Sequence, residues 1–264
     1  MSYPYCIWVL CSLFSLYTAD CRSANENCLI DKYADDTALV GQIINDDSSN
    51  YLQEINSFVN WCDQNFLELN VSKTKEMVID FRTTNKTESL PVVIKGAEVE
   101  RVGSFKYLGV VFDDKLSWDC NTDALVKKVN TRMYCLRKLR SFHVSTHLLE
   151  LFYSSVVCGV LTFGLTSWGG NLTKFDSGRV DRVIRRAGKI IGKPQDTFDT
   201  LYDRRVACKL TTINKDNTHP LWAEFDCLRI VRSGRFRIPK ARTSRFLNSY
   251  VPSAVRSFNN KHHR

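Results

Sequence analysis

An α+β fold, in which β-hairpins with one packed helix precede a helical bundle and a basic tail, is what the sequence predicts. Three observations carry that reading. Short β-prone runs surround a single helical period up to about residue 118. Beyond Trp118 the apolar residues recur at helical spacing. From Cys227 to Arg264 the chain holds ten Lys and Arg and no Asp or Glu.

The first hairpin is "KYADDTALVG", Lys32 to Gly41, whose flanks favour strands and whose centre is the adjacent pair Asp35 and Asp36. Two neighbouring carboxylates repel and lose hydration when partly buried, so they either face water or hold a cation. An exposed turn is the plain reading. The sharper one is a divalent metal, because hard cations take carboxylate oxygens and bridge them to phosphates. The stretch "DDSSNYLQEINSFVNWCDQNFLELN" then sets Leu52, Ile55, Phe58, Val59 and Cys62 on one helical face, with a cap region at 46–50 and a stop at Gln64-Asn65. "KEMVIDF", 75–81, reads as a strand. "LPVVIKGAEVERVGSFKYLGVVFD" reads as two or three strands turning at Lys95-Gly96 and near Gly103.

Three amphipathic helices follow. The first sets Leu125, Val129, Met133 and Leu136 against Lys127, Lys128, Arg132, Arg137, Lys138 and Arg140. The second, "STHLLELFYSSVVCGVLTFGLTSWGG", is mostly apolar and ends at Gly169-Gly170. The third sets Val180, Val183, Ile184, Ala187 and Ile191 against Arg179, Arg182, Arg185, Arg186, Lys189 and Lys193. Such basic outer faces are ordinary solvated surfaces, but in succession they also offer a positive wall to a phosphate backbone.

With 264 residues, 44% hydrophobic and 25% charged, the chain can bury a sizeable core and is not disordered. Its net charge of +9 lies in the tail, since the residues before Cys227 hold 27 basic and 28 acidic groups. The tail is either a solvated end or a polyanion-binding arm; its interleaved Phe236, Phe246, Tyr250 and Phe258 form either a base-stacking surface or a hydrophobic cluster. Ten scattered cysteines without a C-x-x-C pair signal neither zinc nor a disulfide framework and suggest reduced thiols in the cytoplasm or nucleus. The apolar run Ile7 to Leu16 has the length of a secretory core but lacks a preceding Lys or Arg, and it is too short for a membrane span. The triplets at Asn70, Asn85 and Asn171 would matter only in a secreted chain.

The segments "FSLYTADC", "KYADDTALVG", "FVNWCDQNFLELNVSKTKEMVIDFR", "FKYLGVVFDDKLSWD" and the helices through "RAGKIIG" resemble, in order, the palm and thumb of reverse transcriptases from non-LTR, LINE-type retrotransposons. The resemblance implies an atypical N-terminal segment at 1–13, a partial polymerase palm at 14–118, a thumb-like helical domain at 119–195 and a basic C-terminal region at 196–264. It makes Asp35 and Asp36 the Mg²⁺ ligands of an RNA-directed DNA polymerase and Lys73, in Asn70-Val71-Ser72-Lys73, a proton donor to the leaving pyrophosphate, against the plain reading of a surface lysine. Tyr107-Leu108-Gly109 would be the primer grip. Lys127, Lys128, Arg132, Arg182, Arg186 and Lys189, with Arg235, Arg237, Arg242 and Arg245 of the tail, would hold template and primer, RNA and DNA, through phosphates. No membrane partner is implied.

Such a polymerase also needs a third carboxylate from an earlier strand and a fingers region, and neither is recognisable before Asp35: Asp20, Glu26 and Asp31 lack the context. The expectation is therefore a truncated, catalytically incomplete polymerase, or a non-catalytic nucleic-acid-binding remnant. Chains with this palm-to-tail sequence can also carry a domain label borrowed from the N-terminal region of an alkylated-DNA-repair dioxygenase and tRNA methyltransferase homologue. Its chemistry finds no support in the residues, for no H-x-D/E triplet and no strand-following G-x-G-x-x-G is present. His143 and His147 have a metal-ligand spacing for a helix start but no third partner nearby; the other histidines are His219, His262 and His263.

Overall fold

A computed structural model describes residues 12–82 and 90–261. The N-terminal residues 1–11, the Asn85 triplet, His262, His263 and Arg264 lie outside the described residues. The chain divides into two compact units, Met1–Gly103 and Ser104–Arg264.

In the first unit, residues 12–17 are helical and lead to the antiparallel pair β1 (Cys28–Tyr33) and β2 (Asp36–Gly41), in register from Cys28–Gly41 to Tyr33–Asp36. The inner face of β1 alternates Cys28, Ile30 and Lys32. The Lys32 ammonium donates to the carbonyl of Cys21 at 2.8 Å and to that of Thr18, keeping its stem under the hairpin while its charge meets backbone oxygens. Helix α1 (Ser49–Gln64) starts where the Asp47 carboxylate accepts the Ser49 N–H at 2.9 Å, and it buries Ile55 and Cys62. Gly41 closes β2 against this helix: a Cβ there would fall 2.4 Å from the Tyr51 ring.

The remaining strands are short: β3 (Lys75–Glu76), β4 (Val93–Ile94), β5 (Ala97–Glu98) and β6 (Glu100–Arg101). β4 and β5 turn through Lys95 and Gly96, both at positive φ, as the Lys-Gly signal predicts. The strand expected over 75–81 shrinks to Lys75–Glu76, because its parallel partner β6 offers only two residues. Ile55, Val92, Ile94 and Val99 form this unit's small core, with Leu39, Tyr51, Val59, Leu69 and Val71 around it.

The second unit opens with the hairpin β7 (Ser104–Tyr107) and β8 (Val110–Asp113), which packs on α2 (Asp119–Ser141). The division into compact units falls before this hairpin, and Val110, Phe112 and Leu116 pack against the helical core. The apolar second helix is not continuous. It runs as α3 (Thr146–Phe152), a π-helical turn (Tyr153–Val157), α4 (Cys158–Leu161) and α5 (Leu165–Trp168), broken at Gly164 with φ +59. No single described helix is long and apolar enough to cross a membrane; the bent pair Thr146–Leu161 and Leu165–Asn171 passes by length and composition only together. Its Leu149, Tyr153, Val157, Leu161, Leu165 and Trp168 are core residues of the bundle.

Helix α6 (Lys174–Ile191) begins well before its first buried apolar residue, Val180, because the Thr173 hydroxyl accepts the Asp176 N–H at 3.1 Å. Helix α7 (Phe198–Lys215) joins two cores: Phe198 and Leu201 belong to the first, while Val206, Leu210 and Ile213 form a second with Phe225, Phe236, Ala254 and Val255. The second core takes in α8 (Trp222–Leu228) and α10 (Tyr250–Lys261), the latter preceded by the single turn α9 (Ser244–Leu247). The basic tail is therefore folded. Phe236 is 2% exposed and Tyr250 and Phe258 pack beside it, so these rings form a hydrophobic cluster and only Phe246, 43% exposed, keeps a free face.

Candidate functional site

The acidic pair sits on a two-residue turn. Tyr33 pairs with Asp36, leaving Ala34 and Asp35 as the loop, and Ala34 takes φ +53. A non-glycine residue in this region costs roughly 1–2 kcal/mol, a strain that has to be held by the ladder on either side. Asp35 and Asp36 are both exposed. On the same outer face stand Tyr33, the cross-strand pair Leu29 and Val40, and Asp31.

Lys73 stands exposed in a separate turn, where the Asn70 side-chain oxygen accepts its N–H at 3.2 Å and the Ser72 hydroxyl at 2.7 Å. No ion pair joins it to Asp35 or Asp36 among the described residues. Nor does any group of three or more His, Cys, Asp or Glu among the described residues stand close enough to hold a metal ion. Two neighbouring carboxylates supply at most part of a Mg²⁺ shell, and a two-metal centre needs more donors than that.

Tyr107, Leu108 and Gly109 form the turn of the β7–β8 hairpin, in the second unit. Leu108 at φ +46 and Gly109 at φ +89 make a tight turn with both central residues left-handed. A Cβ at Gly109 would also meet the Phe163 ring at 3.0 Å, so that ring would have to give way. The hairpin is anchored by a residue that the motif reading missed. The buried Asp113 carboxylate accepts backbone N–H groups of Lys115, Ser117 and Trp118 at 3.0 to 3.1 Å and the Ser117 hydroxyl at 3.2 Å. Burial would raise its pKa, but these hydrogen bonds outweigh burial and hold it below the usual carboxylate value. It thereby fixes a turn in which Leu116 and Trp118 are both left-handed. The signal was present in "DDKLSW", an Asp opening a turn whose N–H groups it can accept.

The cations of α2 and α6 share a frame set by another unanticipated network. Arg179 pairs with Asp176 at 3.0 Å and with Asp123 across the helix contact. A hydrogen bond shared with Asp176 raises the Asp119 pKa; Asp176, though buried, is lowered by Thr173 and Arg179. Both links join the starts of the two helices, so α2 and α6 run in the same direction. Helical spacing then places Lys127 one turn beyond Asp123, and Arg182 and Arg186 one and two turns beyond Arg179, on the same side of the pair. Arg182, Arg186 and Lys189 form an exposed i, i+4, i+7 stripe without ion pairs among the described residues. Lys128 and the half-buried Arg132 make a second row on α2. In the tail, Arg237, Arg242 and Arg245 are exposed and Arg235 is half-buried. His143 and His147 do not share a helix: His143 is left-handed at φ +56 beyond the end of α2, and His147 lies in the first turn of α3.

Comparison with known proteins gives two findings. Residues 118–157, the span of α2, α3 and the π turn, match the family described as alkylated DNA repair protein alkB homolog 8, N-terminal. The chain is also 24% identical over 190 residues to the probable RNA-directed DNA polymerase from transposon BS of Drosophila melanogaster, a match covering 68% of this chain and 21% of that protein. The chain is thus a distant relative of a transposon reverse transcriptase and spans about a fifth of the length of that relative. No solved structure matches it.

Proposed function

We propose that the chain is part of the palm and thumb of a LINE-type reverse transcriptase, and that these residues bind nucleic acid without making a complete catalytic site by themselves. One observation carries this reading: a strained two-residue turn presents Asp35 and Asp36 together on a chain related over most of its length to a transposon polymerase. In this reading Asp35 and Asp36 belong to a metal centre, Lys73 serves the leaving pyrophosphate, the Tyr107–Gly109 turn meets the primer, and the α2 and α6 cations hold template and primer by their phosphates. No transfer step follows from two carboxylates alone, because activating a hydroxyl and holding a triphosphate takes two positioned metals.

The match to the alkylation-repair protein favours no second activity. The matched stretch contributes the helical core residues Leu125, Val129, Met133, Leu136, Leu149, Tyr153 and Val157, and its two histidines stand on different elements.

The test is primer extension on an RNA template with Mg²⁺ or Mn²⁺. The purified chain is expected to give no product while still retaining the labelled template–primer on a filter. Template-dependent extension that disappears in Asp35→Ala would overturn the incomplete-site reading.

A further inference from the structure

The tail contains a basic hairpin with no counterpart in the helix stripes. Arg229 bridges Phe236 across an antiparallel pair; the Ile230 N–H donates to the Arg235 carbonyl at 2.7 Å, and the Arg237 N–H to the Leu228 carbonyl at 2.7 Å. Gly234, at φ +66, closes the turn. Two side chains pin it to the bundle. Phe236 plugs the second core edge-on to Phe225 and Phe258, with ring centroids 5.9 and 5.0 Å away. Asn259 of α10 then holds the backbone of the same residue at both ends, its oxygen accepting the Phe236 N–H at 3.1 Å and its amide donating to the Phe236 carbonyl at 2.8 Å. A carboxamide used this way copies one rung of a β-ladder.

This pin dictates where the charges go. Because Phe236 points inward, the alternation of an extended chain turns its neighbours outward, and Arg237 is exposed. Arg232 at the tip, with Lys240 and Arg242 beyond, is exposed too, and none of these four has an ion pair among the described residues. Arg229 serves the frame instead, lying 5.3 Å over the Phe236 ring and pairing with Asp226 at 3.5 Å. Four unpaired cations on a pinned loop, with no acid between Cys227 and Arg264, would repel one another unless an anionic partner is bound.

We propose that this hairpin, Arg229–Arg237 with Lys240 and Arg242, is a second, preorganised grip on nucleic-acid phosphates, separate from the α6 stripe, and that Asn259 is its positioning residue. The inference rests on the nucleic-acid-binding reading above. The loop exposes Val231 and Ile238 beside its cations, and contacts to phosphates carry no sequence, so the grip is sequence-independent. Fixing the loop before binding removes the ordering cost that a disordered arm carries.

The experiment measures binding of the full chain to a labelled RNA–DNA duplex as a function of salt. Replacing Arg232, Arg237, Lys240 and Arg242 together by Ala is expected to reduce the log–log salt slope by roughly 0.7–0.9 for each phosphate no longer neutralised, about three units in all. Asn259→Ala keeps every charge and is expected to weaken binding several-fold at fixed salt. Gly234→Val tests the same point without touching the core, since no atom lies near that glycine and only its left-handed turn is disturbed; it is expected to weaken binding in the same direction. If the fourfold variant binds like the wild type while an Arg182/Arg186/Lys189 variant does not, the hairpin grip is refuted and the nucleic-acid reading stands. Loss in the fourfold variant alone, with folded Asn259→Ala and Gly234→Val binding normally, would refute preorganisation. Loss of binding to phosphatidylserine vesicles but not to duplex would make the surface a lipid contact and refute the proposal.

Discussion

Asp113→Ala should lower the stability of the helical unit by roughly 3–5 kcal/mol at neutral pH, among the largest effects available to a single substitution outside the apolar core. Asp113 is 6% exposed and accepts three backbone N–H groups that have no other partner when it is removed. It also holds Leu116 and Trp118 in left-handed conformations that relax once the turn opens, and Trp118 is a core residue packed edge-on to Phe112 at 5.4 Å. In a unit of this size the loss corresponds to a fall in Tm of roughly 10 °C. Its pH dependence has a defined sign. The folded pKa of Asp113 is depressed, so its contribution is fully present above the unfolded carboxylate value of about 4 and is lost as pH falls through the folded value. Thermal melts of the wild type and Asp113→Ala should therefore differ most at neutral pH and converge in strong acid. A gap that stays constant with pH would show that the carboxylate's charge plays no part in the turn.

Reversing the α6 stripe, Arg182, Arg186 and Lys189 all to Glu, should weaken duplex binding by roughly two to three orders of magnitude at about 0.1 M salt, because each phosphate contact is worth nearly tenfold there. The stripe is exposed while Val180, Val183, Ile184, Ala187 and Ile191 fill the core beneath, so the fold should be preserved and the far-UV circular dichroism unchanged. Filter binding to duplexes of unrelated sequence should show the same loss on each, since phosphates carry no sequence. A loss confined to one sequence would mean that these side chains read bases.

Local chemistry made several elements legible in advance. Lys95-Gly96 needs two positive φ values and has them, and the apolar spacing of Ile55, Val59 and Cys62 marks α1 to its stop at Gln64. The acidic turn was readable because Asp35 and Asp36 have no helical period around them and strand formers on both sides. What escaped was decided by contacts distant in sequence. The β7–β8 hairpin reads as one more strand pair, yet Val110 and Phe112 join the helical core. The apolar run through "FYSSVVCGVLTFG" has the composition of one helix, and only the backbone shows the π turn and the break at Gly164. The tail's charge density fits a solvated end or a polyanion-binding arm alike, and nothing in its spacing reveals that Asn259 clamps Phe236 across 23 residues.

The most direct test of the central claim, that this chain holds nucleic acid by its phosphates, is the affinity of the intact protein for a template–primer duplex between about 0.05 and 0.2 M salt. With the α6 stripe and the tail hairpin both engaged, log K should fall linearly with log salt at a slope of roughly −4 to −6 and should be indifferent to base sequence. A chain that fails to bind at the lowest salt, or whose affinity does not change with salt, would contradict it.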